Sequence, residues 1–294
     1  MSTVGMIVAR SGSTRAPGKA LLDLAGKPVI WHMMRIARQI TGVDELLLAT
    51  TTSPGDDALV SVAESNGMRV FRGHPENVLD RVHAAAVASG ARTLVYIGGD
   101  CPLLDPSIIS AAIVEFRKLG CDYVSNYDPP TYPGGMDVNV IRFDALDKAF
   151  KQAIAPSQRI HAFSYLTFHP EEFSVTNFAQ AEDVSTYHWS LDYPEDIEFL
   201  RLVYARLYRA DSVIHMADVL RLVREDPAVR AEHERLIKPK VPHAFLSSPG
   251  MMNDINADIR HLCGLVDDAI RARDYAAATR CYSEIQRIAT KLNS

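Results

Sequence analysis

The sequence has little of what marks several protein classes. Only four of its 294 residues are cysteine, and no two form a C-x-x-C pair, so it is not a disulfide scaffold. No apolar run approaches the roughly 18 residues that a membrane-spanning helix needs. The apolar residues 4–9 end at Arg10 and are too few for a signal peptide. We therefore expect reduced thiols, no membrane segment and a cytoplasmic location.

The charge balance also lacks the basic excess typical of a nucleic-acid binder. Thirty-one Lys and Arg oppose 36 Asp and Glu, for a net charge of −5. The 47% apolar and 23% charged residues are typical of a soluble globular protein. This composition leaves a soluble enzyme or binding protein, in which a local basic pocket can still accept a phosphorylated ligand.

The first 125 residues alternate β-branched runs with amphipathic stretches, which predicts βαβ units and a parallel sheet. The predicted strands are 4–8, 45–51, 69–72, 93–97 and 123–125. The predicted helices are 29–39, 56–65, 76–89 and 106–119. In an open sheet of this kind, ligands bind at the carboxyl ends of the strands. The residues directly after each strand are therefore the candidate site.

The rest of the chain predicts strands at 136–141, 173–178 and 187–191 and helices at 143–153, 157–167 and 194–208. Two apolar stripes at helical spacing near the C-terminus predict an αα-hairpin. We expect an α/β domain over residues 1–240 that includes a small lobe at about 127–185, a linker at 241–252 and the hairpin at 253–294.

The segment after the first predicted strand, Ala9 to Lys19, combines two glycines with three cations. Glycine lets backbone N–H groups approach phosphate oxygens, and Arg and Lys neutralise phosphate charge. It is not a Walker A loop, because five residues separate its glycines and Ala20 stands at the Ser/Thr position. It also lacks GxGxxG. The cations that predict a triphosphate site here are Arg10, Arg15 and Lys19.

Two aspartates follow predicted strands at the same edge. Asp100 comes after strand 93–97, and Asp192 comes after strand 187–191. Carboxylates next to bound phosphates are the usual protein ligands of Mg²⁺. Two such residues opposite a basic loop predict a metal–nucleoside-triphosphate site. Asp105, in contrast, is placed to cap the helix that begins at Pro106.

The same segments resemble the sugar-acid cytidylyltransferases, which include the Kdo and acylneuraminate enzymes, and most of all their spore-coat polysaccharide biosynthesis F-type branch. The resemblance covers residues 4 to about 205. It rests on the segment 9–19 with Gly26-Lys27-Pro28, Ala49–Thr51 with Asp56-Asp57, Val78–Arg81, Gly99–Leu103, Tyr132–Asp137 and Trp189–Asp196. It implies a Rossmann-like open mixed sheet of the nucleotide-diphospho-sugar transferase type, with a small lobe that supports a homodimer.

The resemblance also implies site residues. Lys19, Arg10, Arg15 and Asp100 would carry catalysis. The nucleotide would lie against Ala9, Arg10, Ser11, Gly12, Arg15, Lys19, Asn77, Asp80 and Arg81. Asp100 and Asp192 would hold Mg²⁺, and the acceptor would lie near Tyr132, Asp137, His161 and His188. Asn139, Ile160 and His188 depart from the branch, which has Glu, Glu and Arg there, and all three fall on the acceptor side.

The implied reaction is Mg²⁺-dependent transfer of CMP from CTP to an anionic acceptor of ulosonic sugar-acid type, with release of pyrophosphate. A nucleotide-sugar-dependent glycosyltransferase is an alternative, although Gly98-Gly99-Asp100 lacks the first acid of a D-x-D pair. A non-catalytic scaffold of the same fold is a second alternative. We expect small-molecule substrates and no nucleic-acid or membrane partner.

Overall fold

The computed structural model describes residues 2–236 and 249–292. Its strands are β1 (Thr3–Val8), β2 (Asp23–Leu24), β3 (Lys27–Pro28), β4 (Glu45–Thr51), β5 (Arg69–Gly73), β6 (Thr93–Gly98), β7 (Tyr123–Ser125), β8 (Asn139–Arg142) and β9 (Val175–Asn177). Its α-helices are α1 (Val29–Ala37), α2 (Asp57–Ser65), α3 (Val78–Ser89), α4 (Pro106–Leu119), α5 (Phe143–Gln152), α6 (Pro156–Ile160), α7 (Ser164–Phe168), α8 (Asp196–Leu207), α9 (Met216–Glu225), α10 (Pro227–Leu236), α11 (Pro249–Arg271) and α12 (Tyr275–Leu292).

Seven strands form one mixed sheet in the order β5-β4-β1-β6-β8-β7-β9. The strands β5, β4, β1 and β6 are parallel neighbours, whereas β8 runs antiparallel to both β6 and β7. The predicted α/β class with an open mixed sheet is confirmed. The carboxyl ends of β1, β4 and β6 therefore meet at one edge, which places the segments that follow them side by side.

Helices cover both faces of the sheet because its central strands are mostly apolar on both faces. All six residues of β1 are buried. Side chains alternate between the faces, so Ile7 packs in the core cluster that contains α1 and α4, and Met6 packs in the cluster that contains α3 and α5. Burial on both faces is what a near-continuous apolar run predicts for a central parallel strand.

The capping residues in the first half agree with the prediction. Helix α4 begins at Pro106, and the Asp105 carboxylate accepts a hydrogen bond from the Ser107 N–H at 2.9 Å. The helix ends at Leu119, and Gly120 follows with a φ of +63°, which is typical of the residue after a helix C-terminus. These residues are local signals, which explains why the predicted and observed bounds coincide.

Predictions for the middle of the chain were wrong in two places. The predicted helix 157–167 is two short helices, α6 and α7. The predicted strand 187–191 joins neither described sheet and makes only an isolated bridge between Gly134 and His188. Its alternating apolar residues are buried by packing, since Trp189 and Leu191 belong to the main core cluster. Alternation here reflects burial without a ladder of backbone hydrogen bonds.

Strand β8 begins three residues later than predicted. The Asn126 side chain donates to the Met136 carbonyl at 2.8 Å and accepts from the Val138 N–H at 2.9 Å. Side-chain bonds thus replace a strand partner for this segment. A close approach also fixes its conformation: Gly135 has a φ of +94°, and a Cβ there would lie 2.9 Å from the backbone nitrogen of Ser190.

Helices α11 and α12 lie where the sequence predicts a helical hairpin, although α11 begins before residue 253. The predicted linker 241–252 lies mostly outside the described residues, and the domain boundaries stay a prediction. Among the helices that the structure describes, none is both long and apolar enough to cross a membrane. The four cysteines are unpaired, as expected.

Candidate active site

The loop after β1 is held in place by a buried carboxylate. Asp56 is 1% exposed and accepts hydrogen bonds from the backbone N–H and the hydroxyl of Ser11, at 2.7 and 2.5 Å. Thr50 and Thr51, at the end of β4, also donate to it. Burial alone would raise the pKa of Asp56, but these hydrogen bonds lower it to about 2. The start of the basic loop is therefore anchored to the neighbouring parallel strand.

This anchor changes the expected role of Ser11. The resemblance implies that the Ser11 backbone contacts the nucleotide, whereas the structure directs its N–H to Asp56. In the sequence, Asp56 stands out only as part of a family motif. No local sequence pattern indicates that its hydrogen-bond partners come from the ends of two different strands. Asp56 was not among the predicted site residues.

Lys19 lies between the two predicted metal-binding acids. Its Nζ is 2.5 Å from Asp100 Oδ2 and 3.8 Å from Asp192 Oδ1. The same ammonium donates to the Leu191 carbonyl at 2.8 Å. Three residues that are far apart in the sequence therefore converge on one point. Lys19 and Asp100 follow β1 and β6, whereas Asp192 precedes α8 and does not follow the strand 187–191 that its prediction assumed.

Gly99 allows this convergence. A Cβ at Gly99 would lie 2.6 Å from Ala9 Cβ and 2.9 Å from the Val8 carbonyl oxygen. The ends of β1 and β6 thus approach each other more closely than a side chain at position 99 would permit. This contact brings the Lys19 loop and Asp100 to the same edge of the sheet.

A compact hydrogen-bond network fixes Asp192. The Ser190 hydroxyl donates to Asp192 Oδ2 at 2.8 Å, and His188 Nε2 lies 2.9 Å from the same oxygen. Burial would raise the pKa of Asp192, but His188 and the Lys19 ammonium hold it below its usual range. The structure thus places His188, predicted on the acceptor side, against a predicted metal ligand. The carboxylate stays ionised in this setting.

A cavity of about 440 Å³ extends from the basic loop to α3, and its lining includes Ala9, Arg10, Arg15, Lys19, Arg81 and Asp100. Arg10 donates to the Pro75 carbonyl at 2.9 Å, which leaves the rest of its guanidinium near the cavity. Arg15 lies 3.2 Å from Asp192 and 5.5 Å from the centroid of the Tyr193 ring. Four cations around one cavity suit a polyanionic ligand.

Helix α3 contributes one of its three predicted residues to that cavity. Arg81 is 2% exposed and donates to the His74 carbonyl at 2.6 Å. Its Nε has no hydrogen-bond partner among the described residues. Asn77, in contrast, caps the helix by accepting from the Asp80 N–H at 2.9 Å, and neither residue lines the cavity.

A second cavity of about 560 Å³ adjoins the first, and Val78 and Tyr96 line both. The Tyr123 hydroxyl donates to Asn139 Oδ1 at 2.5 Å, and Asn139 Nδ2 donates to the Tyr127 oxygen at 2.9 Å. Tyrosines and a carboxamide thus form a chain of uncharged hydrogen-bonding groups in its wall. This aromatic cavity was not predicted, because its rings come from β6, β7, the loop after β7 and the α6–α7 segment.

The predicted acceptor residues lie in different places. His161 lines the aromatic cavity. Tyr132 stacks on Phe178 instead, with ring centroids 5.9 Å apart. Burial raises the pKa of Asp137 to about 6, and the negative charge of Asp100 adds to the rise. Asp137 is therefore close enough to Asp100 to feel its charge, whereas Tyr132 packs with Phe178 against the main core cluster.

A comparison with known proteins decides the family. The family model described as Cytidylyltransferase matches residues 4–208. This chain belongs to the cytidylyltransferase family. The resemblance inferred from its motifs is confirmed, and so is the prediction of a nucleotidyltransferase.

Individual relatives agree with that assignment. The spore coat polysaccharide biosynthesis protein SpsF of Bacillus subtilis strain 168 is 28% identical over 236 residues, or 78% of this chain and 97% of SpsF. The 3-deoxy-manno-octulosonate cytidylyltransferase of Geobacter sulfurreducens is 38% identical over 121 residues, or 40% of this chain and 46% of its own length. A solved cytidylyltransferase from Leptospira borgpetersenii has a TM-score of 0.74 and 26% identity, and the match covers 78% and 96% of the two chains.

The two acids of this cytidylyltransferase suit the Mg²⁺ that its sequence predicts. Carboxylate oxygens are the protein ligands that this ion prefers, usually one or two together with phosphate oxygens and waters. Asp100 and Asp192 both reach the same cation, Lys19 Nζ, so their oxygens already face one positively charged point. The donor set therefore fits a magnesium ion bound together with a triphosphate.

Proposed function

We propose that this cytidylyltransferase transfers CMP from CTP to a hydroxyl group of an anionic, ulosonic-type sugar acid in a Mg²⁺-dependent reaction. The observation that carries the proposal is the convergence of Lys19, Asp100 and Asp192 beside a cavity lined by cations. In the reaction the acceptor oxygen bonds to the α-phosphorus as the hydroxyl proton passes to solvent water. The bond between the α-phosphorus and the oxygen that bridges it to the β-phosphate breaks, and pyrophosphate leaves with the electron pair of that bond.

The chain's own residues would act by positioning and charge neutralisation. Arg10, Arg15 and Lys19 would bind the triphosphate, and Asp56 would keep their loop in its conformation through Ser11. Asp100 and Asp192 would hold Mg²⁺, which when bound would offset charge that develops on the α-phosphate. Transfers at phosphorus depend mostly on such positioning and electrostatics. No covalent enzyme intermediate is required.

The aromatic cavity supports a particular orientation of the acceptor. The residues that line it include no Lys or Arg, whereas the buried Arg81 lines the adjoining 440 Å³ cavity in which the triphosphate would bind, the nucleotide cavity. An acceptor carboxylate would therefore lie at the Arg81 end, next to the reacting hydroxyl. The uncharged body of the acceptor would lie against Tyr96 and Tyr127, since rings edged by hydrogen-bonding groups suit a ligand with both apolar and hydroxylated faces.

A nucleotide screen followed by a product assay tests the proposal. CTP with Mg²⁺ should raise the melting temperature more than ATP, GTP or UTP does. Pyrophosphate should then be released when a sugar acid, such as 3-deoxy-manno-octulosonate or N-acetylneuraminate, is added. Release of a nucleoside diphosphate from a nucleotide sugar would favour a glycosyltransferase instead. Absence of binding by every nucleotide would contradict the proposal. The homodimer and the cytoplasmic location stay predictions.

A further inference from the structure

The helical hairpin α11–α12 lies beyond the residues that match the family, yet it packs on the wall of the aromatic cavity. Ile255, Leu262 and Ile288 of the hairpin form a buried cluster with Ala155 and Phe168 of the α/β body. Phe168 also lines the aromatic cavity. One side chain thus contacts both the hairpin and the space proposed for the acceptor.

Buried carboxylates fix where the hairpin docks. Asp258 is 1% exposed and accepts hydrogen bonds from the Ser157 backbone N–H, at 2.9 Å, and from the Ser157 hydroxyl. Glu284 is 4% exposed, accepts from Gln158 Nε2 at 2.6 Å and lies 3.3 Å from His169 Nε2. Burying a carboxylate without such partners costs free energy. The hairpin therefore fits this surface specifically, because an apolar face would not supply hydrogen bonds to its two carboxylates.

The wall between the hairpin and the cavity is too short to be stable alone. Helices α6 and α7 have five residues each, far below the roughly 12 to 15 that an isolated helix needs. The cavity side of this segment is formed by Ile160, His161, Ala162, Phe163, Ser164 and Thr167. Its other side is the surface that receives Asp258 and Glu284. The segment also packs on the sheet side, where Ala162, Tyr165 and Leu166 belong to the cluster that contains α3 and α5, so its conformation depends on both that core and the hairpin behind it.

We propose that the hairpin is a positioning element of the acceptor site: it holds the α6–α7 wall in place and so sets the shape of the aromatic cavity without touching substrate. The inference rests on the proposed function, because it treats this cavity as the place of the acceptor. It gives a role to a segment that the family match does not cover. The nucleotide cavity is lined by other elements, so its CTP affinity should be independent of the hairpin.

The variants Asp258→Asn and Glu284→Gln test the proposal, with Asp267→Asn as the matched control, since Asp267 is an exposed residue of the same helix α11. Hydrogen–deuterium exchange should accelerate at least tenfold in residues 156–170 of both test variants and should match wild type in the control. Calorimetry should give the same CTP affinity in all four proteins within twofold. Unchanged exchange in the wall of both variants would overturn the proposal, and this measurement needs no acceptor.

Steady-state kinetics distinguish an effect on the acceptor site alone from a general destabilisation of the protein that would affect both substrates. With the best acceptor from the sugar-acid panel, the KM for that acceptor should rise about tenfold in both test variants, while the KM for CTP stays constant. An equal fall in both substrates' kcat/KM, or a wild-type acceptor KM despite faster exchange, would contradict the inference. Failure of the wild type to bind CTP or release pyrophosphate would instead count against the proposed function.

Discussion

Lys19 Nζ lies 2.5 Å from Asp100 Oδ2, although the two residues are 81 positions apart in the sequence. The contact joins the basic loop after β1 to the carboxylate after β6. It brings the loop proposed to bind phosphate and a proposed metal ligand to one point. The ammonium balances the charge of two acids that would otherwise repel each other, Asp100 and Asp192.

Asp100→Asn should reduce turnover by about 10²-fold or more, because it removes a carboxylate proposed to hold Mg²⁺ near the developing charge. The measurement is pyrophosphate release from CTP and a sugar acid at saturating Mg²⁺. The circular dichroism spectrum and melting temperature should stay near wild type, since Asp100 is partly exposed. Near wild-type turnover would contradict the assignment of Asp100 as a metal ligand.

Lys19→Ala should weaken CTP binding about tenfold or more, because hydrogen bonds to charged groups contribute about 1.5–3 kcal/mol. Isothermal calorimetry with CTP and Mg²⁺ measures the loss. Lys27→Ala is the matched control, since Lys27 is exposed and its ammonium lies over the Trp31 ring, away from the cavity. Equal affinities in the two variants would show that the loop does not bind the triphosphate.

Asp56→Asn should lower the free energy of unfolding at pH 7 by about 2 kcal/mol, because folding lowers the pKa of the Asp56 carboxyl from 3.8 to about 2. A carboxylate with a lowered pKa stabilises the fold above its unfolded pKa, and that stabilisation is lost as pH falls through the folded pKa. Urea unfolding should therefore show the gap between wild type and variant shrink from about pH 4 towards pH 2. Glu64→Gln, at an exposed position of α2, should show no such gap.

Gly99→Ala should destabilise the protein by about 1–3 kcal/mol, because the new methyl group would overlap Ala9 Cβ and the Val8 carbonyl. Thermal unfolding measures this effect. Gly12→Ala provides the comparison, because a Cβ there meets nothing within 4 Å. A melting temperature for Gly99→Ala that equals that of Gly12→Ala would mean that β1 and β6 are not in such close contact.

Local patterns predicted the first half of the chain well because its structure depends on local signals. Strand β4 and helix α4 have the predicted bounds, and the latter is delimited by Asp105 and Gly120. The middle of the chain was harder to predict. The alternation of apolar and polar residues over 187–191 indicates a strand. In the structure this segment bridges to the loop at Gly134 and packs its apolar side chains in the core, so it joins no sheet.

The sequence by itself determined the family, the α/β class and the grouping of three cations with Asp100 after strands, because periodicity and motifs are local and can be recognised without knowledge of contacts. It also singled out Asp192, although the strand predicted before that residue does not form. Only the tertiary structure decided that Asp56 anchors Ser11, that Arg81 but not Asn77 lines the 440 Å³ cavity, and that the hairpin packs behind the α6–α7 wall of the aromatic cavity. These relationships join residues tens to more than a hundred positions apart. Their partners are selected by chain topology and burial, which no local pattern encodes.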